Sequence, residues 1–182
     1  MGSRPTCKRA RVSLHKVAAE CRKERSKTRA IAKRVNSKTT FLLVEDDPKD
    51  VYLVEDVFKR TGHGRLQVVQ DGQEAIDYLT GHGVYSNRFK HPMPHVILLD
   101  MKMPRVNGLE FLKWLRRESP NTLHLLPVVV MSSSNDPKEV GEAYELGVNS
   151  YLIKPINWQE FQDRMTALNL FWSDHVEKPV IS

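Results

Sequence analysis

The amino-acid sequence predicts an α/β domain built on a doubly wound parallel sheet of five strands. Three observations carry the prediction. From Phe41 onward, strand-like and helix-like patterns alternate five times, the order that lays helices on both faces of a parallel sheet. The run Val96 to Leu99 has no polar position, as a strand covered on both sides requires. Three apolar runs end in ionisable residues: Phe41 to Val44 before Glu45 and Asp46, Val96 to Leu99 before Asp100, and Tyr151 to Ile153 before Lys154. In an open α/β sheet, ligands bind beyond the carboxyl ends of the strands. One edge would therefore collect three carboxylates and one ammonium.

The elements follow in order. Phe41 to Glu45 is the first strand. Pro48 to about Thr61 is the first helix, with Val51, Val54 and Phe58 on one face; Asp47 caps it, with Pro48 at the first helical position and Asp50 three after the cap. Leu66 to Val69 is the second strand. Asp71 and Glu74 have capping-box spacing and open the second helix, with Ala75, Ile76 and Leu79 facing inward. The connection of residues 81–95 is longer than most loops in a compact domain. After the third strand, Val96 to Leu99, Asn107 caps a helix from Gly108 to about Arg117. Val128 to Met131 is the fourth strand. Asp136 and Glu139 again have cap spacing, and their helix runs to Gly147, a C-terminal cap. Tyr151 to Ile153 is the fifth strand. Asn157 opens the last helix, with Phe161, Met165, Leu168 and Trp172 along one stripe.

Charge divides the chain. Its net charge of +6 averages two unlike parts: residues 1–40 hold 13 Lys/Arg against 2 Glu, and residues 41–182 hold 15 against 20 Asp/Glu. A basic tail precedes an acidic domain, with the boundary near Lys38 to Phe41. Both cysteines, Cys7 and Cys21, lie in the tail. They read as free thiols, and a domain without cysteine fits a reducing cytoplasm. No run of 18 apolar residues exists, so no membrane span is expected. Three readings of the tail compete: a solvated, disordered or partly helical segment; a non-specific electrostatic contact with nucleic acid or an acidic surface; or a targeting segment or misplaced start.

Three carboxylates close together cannot all stay ionised without a counter-charge. A hard divalent cation suits them, and Mg²⁺ commonly takes one or two carboxylates plus phosphate oxygens. Lys154 adds a point charge for a phosphate oxygen. Ser132, at the end of the fourth strand, adds a hydroxyl donor. A metal, a lysine and a hydroxyl around one aspartate suit phosphoryl transfer to that aspartate. Taken singly, each residue has a blander role. An Asp after a strand is a turn or cap residue, which Asp47 fits, and a Lys before Pro155 is a solvated charge. At matching strand ends, in this order, they read as one constellation.

These pieces resemble the receiver domains of two-component response regulators. The residues that carry the likeness are VEDD after the first strand, LLDMKMPRVNG after the third, VVVMSSS in the fourth and YLIKP in the fifth, across about 41–172. The resemblance implies a flavodoxin-like sheet of strand order 2-1-3-4-5. It implies that Asp100 accepts a phosphoryl group from a sensor histidine kinase. Mg²⁺ would be held by Glu45, Asp46 and Asp100, Asp46 more directly than Glu45, with the backbone carbonyl of Lys102. Lys154 would pair with the phosphoryl group, Ser132 would move to hydrogen-bond it, and Tyr151 would rotate inward. Signalling would pass through the fourth helix, fifth strand and last helix to a downstream protein, and a homodimer is compatible with the resemblance. The connection of residues 81–95 and the FWSDHVEKP ending are similar to single-domain regulators of bacterial phytochrome kinases. Residues 173–182 then form a short tail with no output domain after it.

The chain departs from the family's pattern at Lys102 and Ser134, which flank the path of an attacking water and would tune hydrolysis. Two rivals stand beside this reading. A metal-dependent phosphohydrolase with an aspartyl-phosphate intermediate needs a second acid two residues after its nucleophile, and Lys102 occupies that position. A DNA-binding regulator acting through the tail needs a folded reader element, which the sequence does not supply, so nucleic acid is not an expected partner.

Overall fold

The computed structural model describes residues 39–181. The readings of the basic tail, apart from Thr39 and Thr40, fall outside the described residues. Among them, β1 (Thr40–Val44), β2 (Arg65–Val69), β3 (Val96–Asp100), β4 (Val128–Ser132) and β5 (Ser150–Ile153) form one parallel sheet in the order β2-β1-β3-β4-β5. Five helices connect and follow them: α1 (Pro48–Thr61), α2 (Gly72–Thr80), α3 (Gly108–Arg117), α4 (Pro137–Glu145) and α5 (Trp158–Leu170). No helix of the described residues is long and apolar enough to cross a membrane. The expected topology is present, with strand ends moved by a residue. Asp100 and Ser132 are the last residues of β3 and β4 and not the first beyond them.

Alternation along the strands builds two cores. Leu42, Val44, Ile97, Leu99, Val128 and Val130 face α2, α3 and α4, meeting Ala75, Leu79, Phe111, Leu112, Leu115 and Ala143. Phe41, Leu43, Val96, Leu98, Val129 and Met131 face α1 and α5, meeting Val54, Val57, Phe58, Phe161, Met165 and Leu168. A strand covered on both faces cannot carry a polar side chain without a partner, and β1, β3 and β4 are buried at every position. Each Leu or Phe placed there contributes about 1.5–3 kcal/mol of apolar burial, so the sheet is most rigid at its middle three strands. Their carboxyl ends inherit that rigidity. The strand order reverses between β1 and β3, opening the crevice at the point where such sheets take their ligands.

The caps follow their residue types, with differences of detail. Asp47 accepts the Lys49 N–H at 2.8 Å, and Gly62 ends α1 in the left-handed region at φ 68°, where a residue with Cβ is disfavoured. Asn107 and Glu110 form a reciprocal capping box on α3. Asp71 accepts from Glu74 N, but the Glu74 carboxylate turns to Gln70 N instead of closing the box. Asp136 caps α4 through Lys138 N, one position earlier than its spacing to Glu139 suggests. The stripe on α5 is buried as read, but Trp172 lies in a π-helical turn, Phe171–His175, that widens the helix end.

The connection of residues 81–95 is not a slack loop. A 3₁₀ turn, Gly83–Ser86, follows Gly81. Arg88 then folds back, its Nη1 donating to Tyr78 O at 2.6 Å and its Nη2 to Leu79 O at 2.7 Å. It thereby gives Leu79 O a partner at the end of α2 and adds a second to Tyr78 O, which also accepts the Gly81 N–H at 3.3 Å. The Tyr78 hydroxyl donates to Pro92 O at 2.7 Å, closing the far side. Arg88→Ala is therefore expected to lower unfolding stability by about 1.5–3 kcal/mol, because charge-assisted bonds to buried carbonyls are lost. Exchange of amides in residues 81–95 should accelerate in parallel. Denaturant unfolding with hydrogen exchange checks both, and an unchanged midpoint would remove Arg88 from this role.

Candidate functional site

The site forms where the rigid strand ends stop. Glu45 is 2% exposed and Asp100 6% exposed, while Asp46 is open to solvent. One carboxylate oxygen from each of the three lies within 4.8 Å of the others. Lys154 reaches into this group from the end of β5. Its Nζ donates to Glu45 Oε2 at 2.7 Å, to Asp100 Oδ1 at 2.8 Å and to Asp50 Oδ2 at 2.7 Å. Those three acceptors use all three of its donors. The structure thus joins Glu45, Asp46, Asp100 and Lys154 as the strand-end argument requires.

Asp50 is the residue that sequence reasoning left out. It reads as a first-turn acid of α1, where an acid also suits the helix dipole. Its position was nevertheless legible: Asp50, Val54, Val57 and Phe58 share one helical face, and the last three are buried. That inward face carries Asp50 to Lys154.

Local backbone geometry holds Asp100 from the other side. The Lys102 N–H donates to Asp100 Oδ2 at 2.6 Å, so each carboxylate oxygen has a partner. Behind it, Gly108 packs against the same strand end. A Cβ there would meet Asp100 O at 2.6 Å and Met101 Cα at 2.8 Å, a backbone clash that only glycine avoids. The Lys102 side chain is exposed.

Ser132 is 1% exposed, and its Oγ accepts the Ser134 N–H at 3.1 Å. The Ser134 hydroxyl accepts from Asp136 N at 3.3 Å, which ties it to the entry of α4. Tyr151 packs against the core on the α2–α4 face. Its hydroxyl donates to Ser134 O at 3.2 Å, and burial raises its pKa. Ser132, Ser134 and Tyr151 thus form one connected unit beside the carboxylates.

The electrostatics are unequal. Burial pushes the Glu45 carboxyl up to about 7; Lys154 pulls it back, while Asp100 and Asp50 push it further up. For Lys154, burial alone would favour the neutral amine. The Glu45 charge and the hydrogen bonds to Asp100, Asp50 and Glu45 overcome it, holding the ammonium's pKa above its ordinary value. One cation faces Glu45, Asp50 and Asp100, with Asp46 beside them. Oxygen ligands with surplus negative charge fit a hard divalent cation, which prefers such donors. The donor set contains no sulfur or imidazole, so softer metals have no preferred ligand there.

The comparisons with known proteins agree with this geometry. The response regulator receiver domain family matches residues 41–180. The response regulator Rcp1 of the cyanobacterium Synechocystis is 35% identical over 145 residues, covering 79% of this chain and 95% of Rcp1. The solved Mn²⁺-bound form of Rcp1 superimposes with a TM-score of 0.71 at 34% identity, over 78% of this chain and 99% of that one. The phosphorylated cyanobacterial phytochrome response regulator RcpA superimposes with a TM-score of 0.72 at 31% identity, over 79% of this chain and all of that one. With the family matched across the whole sheet and its acidic edge, this chain belongs to the response regulator receiver family.

Proposed function

We propose that Asp100 is the phosphoacceptor of this receiver domain and that a sensor histidine kinase is the donor. The observation that carries the reading is the lysine bridge: Lys154 holds Asp100 and Glu45 together at the strand-order reversal. An Asp100 carboxylate oxygen attacks phosphorus, the N–P bond of the phosphohistidine breaks, and its electron pair leaves with the imidazole. Asp100 presents its carboxylate at the crevice from a buried strand end, so the nucleophile is positioned before the donor arrives. Lys154 is free to exchange one carboxylate oxygen for a phosphoryl oxygen without leaving its place. Ser132 accepts from the Ser134 N–H and its hydroxyl also bonds with Tyr151, from which it would turn to donate to the group on Asp100. Tyr151, bonded to the same segment through Ser134 O, responds to that movement.

Mg²⁺ would fit the acidic edge, where Asp46, Asp100, the Lys102 carbonyl and, less directly, Glu45 would hold it. When bound, it supplies charge neutralisation for the phosphoryl oxygens. Lys102, two residues after Asp100, and Ser134, two after Ser132, would tune hydrolysis of the product. The likeness to the phytochrome response regulator RcpA supports a phytochrome-type kinase as partner, and a domain without cysteine suits a reducing cytoplasm. Exposed Tyr144, Ile153, Ile156 and Trp158 support the face of α4, β5 and α5 as the surface read by a downstream protein or by a second copy of the chain. The domain runs from about residue 41 to 172 in this reading, with the basic segment before it and a short tail after it. A phosphohydrolase is disfavoured because Lys102 stands where its second acid would be needed.

Two experiments test the site. With acetyl phosphate and Mg²⁺, the wild type should gain the mass of one phosphoryl group and Asp100→Asn should gain none. Equal labelling of the Asn variant would place the acceptor elsewhere. Asp46→Ala should weaken Mg²⁺ binding by about tenfold or more, since even outer-shell changes at metal sites cost that much, while leaving metal-free stability no lower. Calorimetric titration reads the affinity, and an unchanged value would remove Asp46 from the metal site.

A further inference from the structure

A second ion pair lies one loop away from the carboxylates. Asp71, 2% exposed, has two tasks. Its Oδ1 caps α2 at Glu74 N, 3.0 Å, and its Oδ2 accepts from Arg105, at 2.6 Å from Nε and also from Nη2. Arg105 sits in the segment between β3 and α3 and takes φ 62°. In that left-handed region a side chain with Cβ is disfavoured, and glycine or asparagine would make the same turn with less strain. What the arginine adds over those residues is the guanidinium bond to Asp71.

Its neighbour repeats the contact in backbone form. The Gly72 N–H donates to Val106 O at 3.0 Å, and a Cβ on Gly72 would lie 2.6 Å from that oxygen. The β2–α2 turn and residues 105–106 are thus joined by a side-chain pair and a backbone bond. At the other end of the same segment, Lys102 N donates to Asp100 Oδ2, and Gly108 N donates to Met101 O at 3.1 Å. Residues 101–107 are pinned at both ends, one end being the carboxylate itself.

We propose that Asp71 and Arg105 are positioning residues for the phosphoryl-accepting site. Their ion pair holds the 101–107 segment closed and thereby sets the Lys102 peptide against Asp100. The inference rests on the reading of Asp100 and its metal given above. A displaced Lys102 backbone would weaken its N–H bond to Asp100 and turn its carbonyl away from the direction a hard cation needs. Neither Asp71 nor Arg105 touches the reacting groups.

The test uses the full chain with Arg105→Ala, Arg105→Gly and Asp71→Asn. Asparagine caps a helix about as well as aspartate, so Asp71→Asn keeps α2 while losing the charge. Two readouts are taken: exchange of the Lys102 amide in metal-free protein, and Mg²⁺ affinity by calorimetry. All three variants should exchange the Lys102 amide faster and bind Mg²⁺ about three- to tenfold more weakly, at or below the low end of outer-shell effects. Arg105→Gly should do no better than Arg105→Ala, although it relieves the backbone. Wild-type exchange and affinity in Arg105→Gly would overturn the inference, showing that only the left-handed turn matters. Unchanged exchange in all three would overturn it as well. Faster exchange in the variants, alongside a wild type that binds no Mg²⁺, would support the positioning role and refute the metal reading.

Discussion

The interaction on which the structure depends is the Lys154 ammonium set among Glu45, Asp50 and Asp100. Buried charge is costly, and an ion cluster survives only when its members are paired and hydrogen-bonded. Removing the lysine would leave Glu45 and Asp100 buried and uncompensated. The cluster also makes demands on the chain far from itself. Lys154 directly follows β5 and Asp100 ends β3, two strand spacings apart, roughly 9–10 Å. The side chain must pass over the end of β4, where Ser132 is small and buried. The Lys154 N–H bonds to Ser132 O at 2.7 Å, so backbone pairing aims the side chain across that gap. Parallel register from β3 through β4 to β5 is thus a condition of the site.

On the proposed reading, the same cluster would let the domain respond to a phosphoryl group. One ammonium cannot balance the acids around it, so the edge keeps a surplus of negative charge and a tendency to bind cations. A phosphoryl group on Asp100 would change the partners of Lys154 and Ser132 together. Ser132, Ser134 and Tyr151 are already joined by hydrogen bonds, and Ser134 is bonded to the start of α4. A small movement at Ser132 therefore has a short covalent and hydrogen-bonded route to α4 and β5. That route links the strand-end chemistry to an exposed surface.

Most of this was legible in the sequence, for identifiable reasons. Continuous apolar runs and helix caps specify strands and helices locally, and the rule that ligands lie beyond strand ends brought Glu45, Asp46, Asp100 and Lys154 together without any contact information. Asp50 was missed because its first helical turn offered a sufficient local role, although its alignment with Val54 and Phe58 pointed inward. The Asp71–Arg105 pair was out of reach: the partners are 34 residues apart, and Arg105 occupies a backbone conformation its residue type does not announce. Arg88 was hidden similarly, because an arginine in a long polar connection reads as solvated until its target carbonyls are placed beside it.

The central claim, that a single lysine under-compensates buried carboxylates, is tested most directly by metal-free stability against pH in wild type and Glu45→Gln. The folded Glu45 pKa, about 7, lies above its ordinary 4.5. The folded state therefore takes up a proton first as pH falls, and the penalty of the charged carboxylate, full above pH 7, is gone below pH 4.5. Wild type should gain stability relative to Glu45→Gln across that window by about 1–3 kcal/mol, measured by denaturant unfolding in a chelator. A constant difference between the two proteins from pH 8 to 4.5 would contradict the account, because Glu45 would then be fully compensated by Lys154.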